Sequence, residues 1–95
     1  MPYAIIRSAI QRRECLTGKY DHYIRHFSPQ ALGEDQQGQK AVLGFQYGGG
    51  RKGGLPAAGD WCLFEVDRLK DVFPNGEIDD SALLSLFLDG GPQLD

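Results

Sequence analysis

The sequence predicts a mainly β domain, a small SH3-like barrel of four to five antiparallel strands, preceded by an N-terminal helix and followed by a short apolar element. Three observations carry this. Residues 14–73 divide into short runs rich in aromatic and β-branched residues, separated by turn-forming residues and glycine-rich stretches. No helix-length periodic segment lies between those runs, which removes the crossovers a parallel sheet requires. The chain has 95 residues, enough for one modest core and not for two.

The helix comes first. Pro2 suits a first helical turn, where its missing N–H has no partner to lose. Ile6 and Ile10, flanked by Ile5 and Ala9, form an apolar stripe with Arg7, Gln11 and Arg12 outside it. The helix is expected to end near Arg13 or Glu14, with basic residues at the negative end of its dipole. Glu14–Tyr20 then reads as a strand, Asp21-His22 as a turn, and Tyr23–Leu32 as the returning strand. Pro29 marks an edge or a bulge, because proline cannot donate to a sheet ladder.

Residues 33–38 are polar and bounded by Gly33 and Gly38, the pattern of a hairpin loop. Lys40–Tyr47 alternates, with Ala41, Leu43, Phe45 and Tyr47 on one face and Val42, Gly44 and Gln46 on the other. Gly44, inside that strand, points to a close backbone approach. Gly48–Asp60 holds six glycines and one proline in thirteen residues and reads as a long, flexible, solvated loop. Trp61–Val66 is the fourth strand, and Leu69–Phe73 supplies a short fifth. Pro74-Asn75-Gly76 reads as a turn.

Beyond it the tail changes character. Asp79-Asp80-Ser81 precedes the run Ala82–Leu88, a helix-start signature ahead of apolar residues, and Gly90-Gly91-Pro92 stops it. The sequence thus divides into a domain over residues 1–76 and a tail over residues 77–95. The apolar run either caps the domain or forms a homodimer contact through residues 81–88, since uncovered apolar patches mark interfaces.

Composition narrows the function. No apolar run approaches the roughly 20 residues of a membrane span, and the N-terminus lacks the pattern of a signal peptide. A cytoplasmic location is the expectation. The net charge of −3 argues against a general nucleic-acid binder. The charge is uneven: residues 1–48 carry six Lys/Arg against four Asp/Glu, and residues 49–95 carry four against nine. A local basic surface stays open.

Cys15 and Cys62 lack the spacing of a redox or zinc motif, and no metal or other cofactor is expected. Read as part of one strand, His22 and His26 stand about 13 Å apart on one face, too far for a shared ion. No Ser or Cys has a His and an acid in a catalytic spacing, so catalysis is not expected.

The candidate ligand-binding residues are Tyr20, Arg25, Gln46, Arg51, Trp61 and Arg68. Arg25 lies between Tyr23 and Phe27 on one face, where a guanidinium can stack on aromatics and present a planar fork to phosphate or carboxylate. A surface ion pair is the alternative. Gln46 either reads a base edge or is a satisfied amide at the end of the barrel. Tyr20 and Trp61 are stacking platforms or core residues. Arg68 either binds ligand or pairs with Asp67. Gly48-Gly49-Gly50-Arg51-Lys52-Gly53 matches G-x-G-x-x-G formally. Gly54-Leu55-Pro56 follows it, so no helix N-terminus is available to hold a pyrophosphate. A loop of this kind carrying Arg51 can still wrap an anion with backbone N–H groups.

In order along the chain, Ala9-Ile10-Gln11-Arg12-Arg13, then Tyr20, Arg25 and Pro29, resemble the start of WYL-type domains. Leu32-Gly33 and Phe45-Gln46-Tyr47-Gly48 resemble that family's middle segment. Trp61, Phe64 and Asp67-Arg68-Leu69 resemble its last block. The name-giving triplet departs, reading Trp61-Cys62-Leu63 with Cys in place of Tyr. The resemblance covers about residues 4–73 and is to the short, single-domain members. It implies an SH3/Sm-like barrel that binds a nucleotide or short nucleic acid and regulates another activity, as such modules do in bacterial transcription regulators and phage-defence systems. No DNA-binding helix pair is recognisable. The other function class is a protein-interaction or self-association domain using the acidic half and the apolar tail.

Overall fold

The computed structural model describes residues 2–79. Helix α1 (Pro2–Arg12) is followed by strands β1 (Glu14–Tyr20), β2 (Tyr23–Glu34), β3 (Lys40–Gly49) and β4 (Asp60–Glu65). A 3-10 turn over Val66–Arg68 then leads into β5 (Lys70–Ile78). The strands make one antiparallel sheet in the order β4-β3-β2-β1-β5.

The expected barrel is corrected here. Among the described residues β4 pairs only with β3 and β5 only with β1, so the sheet is not closed on itself. Only residues 66–69 join these two outer strands. At roughly 3.3 Å per residue that link is short, so the sheet is strongly coiled and its edges approach at one end without forming a ladder.

Each turn follows from its residues. Asp21 and His22 form a two-residue hairpin between the paired Tyr20 and Tyr23. Both have positive φ, 49° and 70°, the left-handed conformation that matches the twist of the flanking strands. Asp and His tolerate it better than most side chains. At the β2–β3 loop, Asp35 Oδ1 accepts the N–H groups of Gln37 and Gln39, both at 2.9 Å. This loop occupies residues 35–39, so Gly33, expected in the loop, lies in β2.

Pro29 sits past the last β1–β2 pair and at a register shift in the β2–β3 ladder. The bulge reading of that proline therefore holds. Pro74-Asn75-Gly76, expected to be a turn, lies within β5. Strand β5 is an outer strand with register shifts against β1, and such a strand accommodates a proline. The division drawn after residue 76 falls inside β5.

The core lies between α1 and the concave face of the sheet. Ile6 and Ala9 of the helix pack with Leu16, Tyr20, Phe27, Val42, Phe64, Val66 and Leu69. Phe64 is the hub: its ring centre is 4.9 Å from that of Tyr20 and 5.0 Å from that of Phe27. Gly44 faces Phe27, and a Cβ there would stand 2.9 Å from the ring. Arg13, just after the helix, takes the left-handed conformation (φ 57°) usually left to glycine. Its carbonyl accepts the Asp79 N–H at 2.8 Å, tying the end of β5 to the end of α1. Among the described residues no helix is long and apolar enough to cross a membrane.

Candidate functional site

Alternation along β2 turns Arg25 to the concave face with Phe27, and only 6% of it is exposed. Its Nη1 donates to Gln46 Oε1 at 3.2 Å, and its Nη2 donates to the Tyr20 carbonyl at 3.2 Å. Its Cζ lies 5.4, 5.6 and 5.6 Å from the ring centres of Tyr20, Tyr23 and Phe64. Its Nε is buried without a partner. Among the described residues Arg25 enters no ion pair, so the surface-pair reading does not hold. A guanidinium remains charged in the interior, and here its acceptors are neutral.

Gln46 is fully buried and fully engaged. Besides the bond from Arg25, its Oε1 accepts from the Cys62 thiol at 3.5 Å. Its Nε2 donates to the carbonyls of Gly48 (3.0 Å) and Gly50 (3.1 Å). This is the satisfied amide; no group is left over to read a base edge. The entrance of the glycine-rich loop is thereby clamped, and Gly50 N–H donates to the Ile24 carbonyl at 3.0 Å. Gly49 has φ 84°, and a Cβ there would fall 2.0 Å from that same carbonyl oxygen, so glycine is required.

Arg51 holds the far side of the loop. Its Nε donates to the Gly54 carbonyl (3.2 Å), its Nη2 pairs with Asp60 Oδ2 (3.0 Å), and its Nη1 reaches the Cys62 sulfur (3.8 Å). The bond to Asp60 raises its pKa further. The loop read as flexible is thus pinned at both ends of its basic stretch.

Arg68 stands with its Cζ 4.7 Å from the centre of the Tyr20 ring. It pairs with Asp21 and with Glu65 (3.0 Å), not with Asp67. These carboxylates raise its pKa, Glu65 most. Tyr20 completes the link, its hydroxyl accepting the Glu65 N–H at 3.1 Å. Tyr20 is a core residue, 8% exposed.

Five of the six residues expected to bind ligand therefore form one connected set, running from Arg68 through Tyr20, Arg25 and Gln46 to Cys62 and Arg51. Trp61 does not join it. It packs edge-on against Phe45, its register partner, at 5.4 Å, and its indole N–H is buried without a partner. Tyr23, placed beside Arg25 by the sequence but not counted among the ligand-binding residues, is the most exposed of the three rings around it at 38%. The sequence reading missed Cys62, which bridges Gln46 and Arg51. Alternation along β2 puts Tyr23 beside Arg25; nothing in the sequence announces the thiol bridge.

A second polar cluster lies on the convex face. Asn75 Nδ2 donates to Thr17 Oγ1 (3.0 Å) and to the Tyr47 hydroxyl (2.8 Å). The same Thr17 hydroxyl is hydrogen-bonded to His26 Nδ1, 2.7 Å away. His26 is thus engaged on β2 while His22 is in the turn, so the two do not share a strand. Burial pushes the Tyr47 hydroxyl up to about 12 and raises the Cys15 thiol. Both cysteines are free. Residues 81–88, expected to cap the domain or to form a dimer contact, lie outside the described residues.

Comparison with protein-family models, with curated proteins and with solved structures found no match.

Proposed function

We propose that the chain is a WYL-like regulatory module, a coiled sheet of SH3/Sm-like type, that binds an anionic ligand of the nucleotide or short nucleic-acid class. The observation that supports this is Arg25: a guanidinium 6% exposed, with an unpartnered Nε and no carboxylate paired with it among the described residues. Isolating a cation from water costs several kcal/mol unless an anion or a full set of acceptors compensates. An incoming phosphate supplies the missing charge, and the half-exposed Tyr23 ring supplies a surface for a base.

A thermal-shift screen with nucleotides and short single strands, at two salt concentrations, tests the proposal. The expected result is a salt-sensitive rise in Tm that disappears in Arg25→Met, a change that keeps an unbranched, flexible stem and removes the charge. Absence of a shift with every anion overturns it.

A second reading, self-association, draws on the convex face, where Ile24, Leu63 and Phe73 are 47%, 64% and 51% exposed. Light scattering on the full chain and on Leu63→Asp separates the two. A concentration-dependent dimer abolished by the substitution supports self-association.

A further inference from the structure

A cleft of about 430 Å³ opens beside the β1–β2 turn, lined by Lys19, Asp21, His22, Asp67, Arg68 and Lys70. Lys19 and Lys70 are direct partners across the β1–β5 ladder. Side chains in that relation begin about 4.5–5.5 Å apart at Cβ, and like charges there destabilise a sheet. Among the described residues neither ammonium enters an ion pair. Asp21 is already engaged by Arg68, which leaves Asp67 as the one uncommitted carboxylate of the cleft lining.

The backbone is unusual at the same place. Of the four described non-glycine residues with positive φ, Asp21 (49°) and His22 (70°) line the cleft, and Asp71 (53°) follows Lys70 directly. At Asp21 and His22 the two-residue hairpin accounts for this conformation, and Asp71 lies in the register shift of β5 against β1; these two irregularities shape the rim beside the lysine pair.

We infer that this cleft is a phosphate site, taking the phosphate monoester or diphosphate group of a ligand between Lys19 and Lys70, with His22 as a further N–H donor. A phosphate carries about −1.5 to −2 charge near neutrality and several acceptor oxygens, so one group answers both ammonium ions and turns their repulsion into two attractions. Two point charges converging from separate strands suit phosphate better than the flat fork of a carboxylate. The identity of the larger ligand rests on the function proposed above; the phosphate contact rests on the lysine pair.

The test titrates the full, isotope-labelled chain with inorganic pyrophosphate and follows backbone amide signals. The expected result is saturable shifts centred on Lys19, His22 and Lys70, with affinity falling at least tenfold in the Lys19→Gln/Lys70→Gln double variant. Both lysines are exposed and repel one another, so without ligand this variant melts no lower than the parent. Lys40→Gln, a control on β3 whose ammonium pairs with Glu34 and does not line the cleft, leaves pyrophosphate affinity within about twofold. Shifts that do not saturate, that centre elsewhere, or that survive in the double variant overturn the inference. A parallel titration with adenosine diphosphate separates the two claims. Binding no tighter than pyrophosphate leaves the cleft standing and counts against a nucleotide ligand. Binding that needs Arg25 but ignores both lysines does the reverse.

Discussion

Among the described residues, the one side-chain acceptor for the Arg25 guanidinium is the neutral Oε1 of Gln46, at 3.2 Å. The same amide holds the carbonyls of Gly48 and Gly50. One uncharged side chain therefore accepts one bond from a buried cation and fixes the entrance of the glycine-rich loop.

Removing that amide is expected to be costly. Gln46→Leu keeps the volume but leaves Arg25 without its side-chain acceptor and two loop carbonyls without donors. A loss of about 2–4 kcal/mol is expected from urea unfolding. A loss below 1 kcal/mol would mean that the guanidinium finds water or another acceptor.

Gly44 and Gly33 should respond in opposite ways. At Gly44 a new methyl would lie 2.9 Å from the Phe27 ring and 3.3 Å from the Ser28 carbonyl. Both neighbours are packed in the core, so Gly44→Ala should cost about 1–3 kcal/mol. At Gly33 nothing lies within 4 Å and φ is not positive, so Gly33→Ala should be neutral or stabilise by up to about 1 kcal/mol. Thermal unfolding of the two variants side by side checks the ranking.

The two thiols should differ in reactivity. Cys15 is 4% exposed and its pKa is raised, chiefly by burial, which suppresses the thiolate that reacts. Cys62 is half-buried, with the Arg51 guanidinium 3.8 Å from its sulfur. Limited alkylation of the native chain with iodoacetamide, read by peptide mass mapping, should label Cys62 at least tenfold faster. In urea the two rates should converge. Equal native rates would contradict the burial of Cys15.

Stability should fall at high pH through Tyr47. Burial raises its pKa from 10 to about 12. Below pH 10 the hydroxyl keeps its proton in both folded and unfolded chains. Between 10 and 12 the unfolded chain releases the proton while the fold retains it, so stability drops as pH rises through that window. The ring is 40% exposed, and solvent screening reduces the effect to about 1 kcal/mol. Comparing urea midpoints of the parent and Tyr47→Phe from pH 9 to 12 isolates it; parallel curves would refute the assignment.

The legible parts of this fold were those that local chemistry decides. The stripe of Ile6 and Ala9, the Asp21-His22 turn and the alternation placing Val42, Gly44 and Gln46 on one face are all short-range. The turn signal of Pro74-Asn75-Gly76 survives only as a bulge inside β5, with Gly76 at φ 88° and Asn75 Oδ1 accepting the Glu77 N–H, because β1 pairs on both sides of it. The barrel failed for a related reason: closure depends on whether two distant strands meet, and no local pattern encodes that. At the site, alternation put Arg25 among aromatics correctly. Its acceptor stands on β3 and the Asp21 partner of Arg68 comes from a distant turn, so these pairings emerge only in three dimensions, whereas Glu65 lies three residues before Arg68.

The open strand order has a consequence for assembly. Among the described residues β4 and β5 each have no strand on their outer side, and these two edges are unequally guarded. Strand β5 carries Pro74 and a broken register, both of which obstruct an added strand. Strand β4 is regular and six residues long, with its carboxylates only at its ends, Asp60 and Glu65. Between them Leu63 is 64% exposed. Any extension of this sheet by a peptide or a second chain would therefore begin along residues 60–65, with the glycine-rich loop at its threshold.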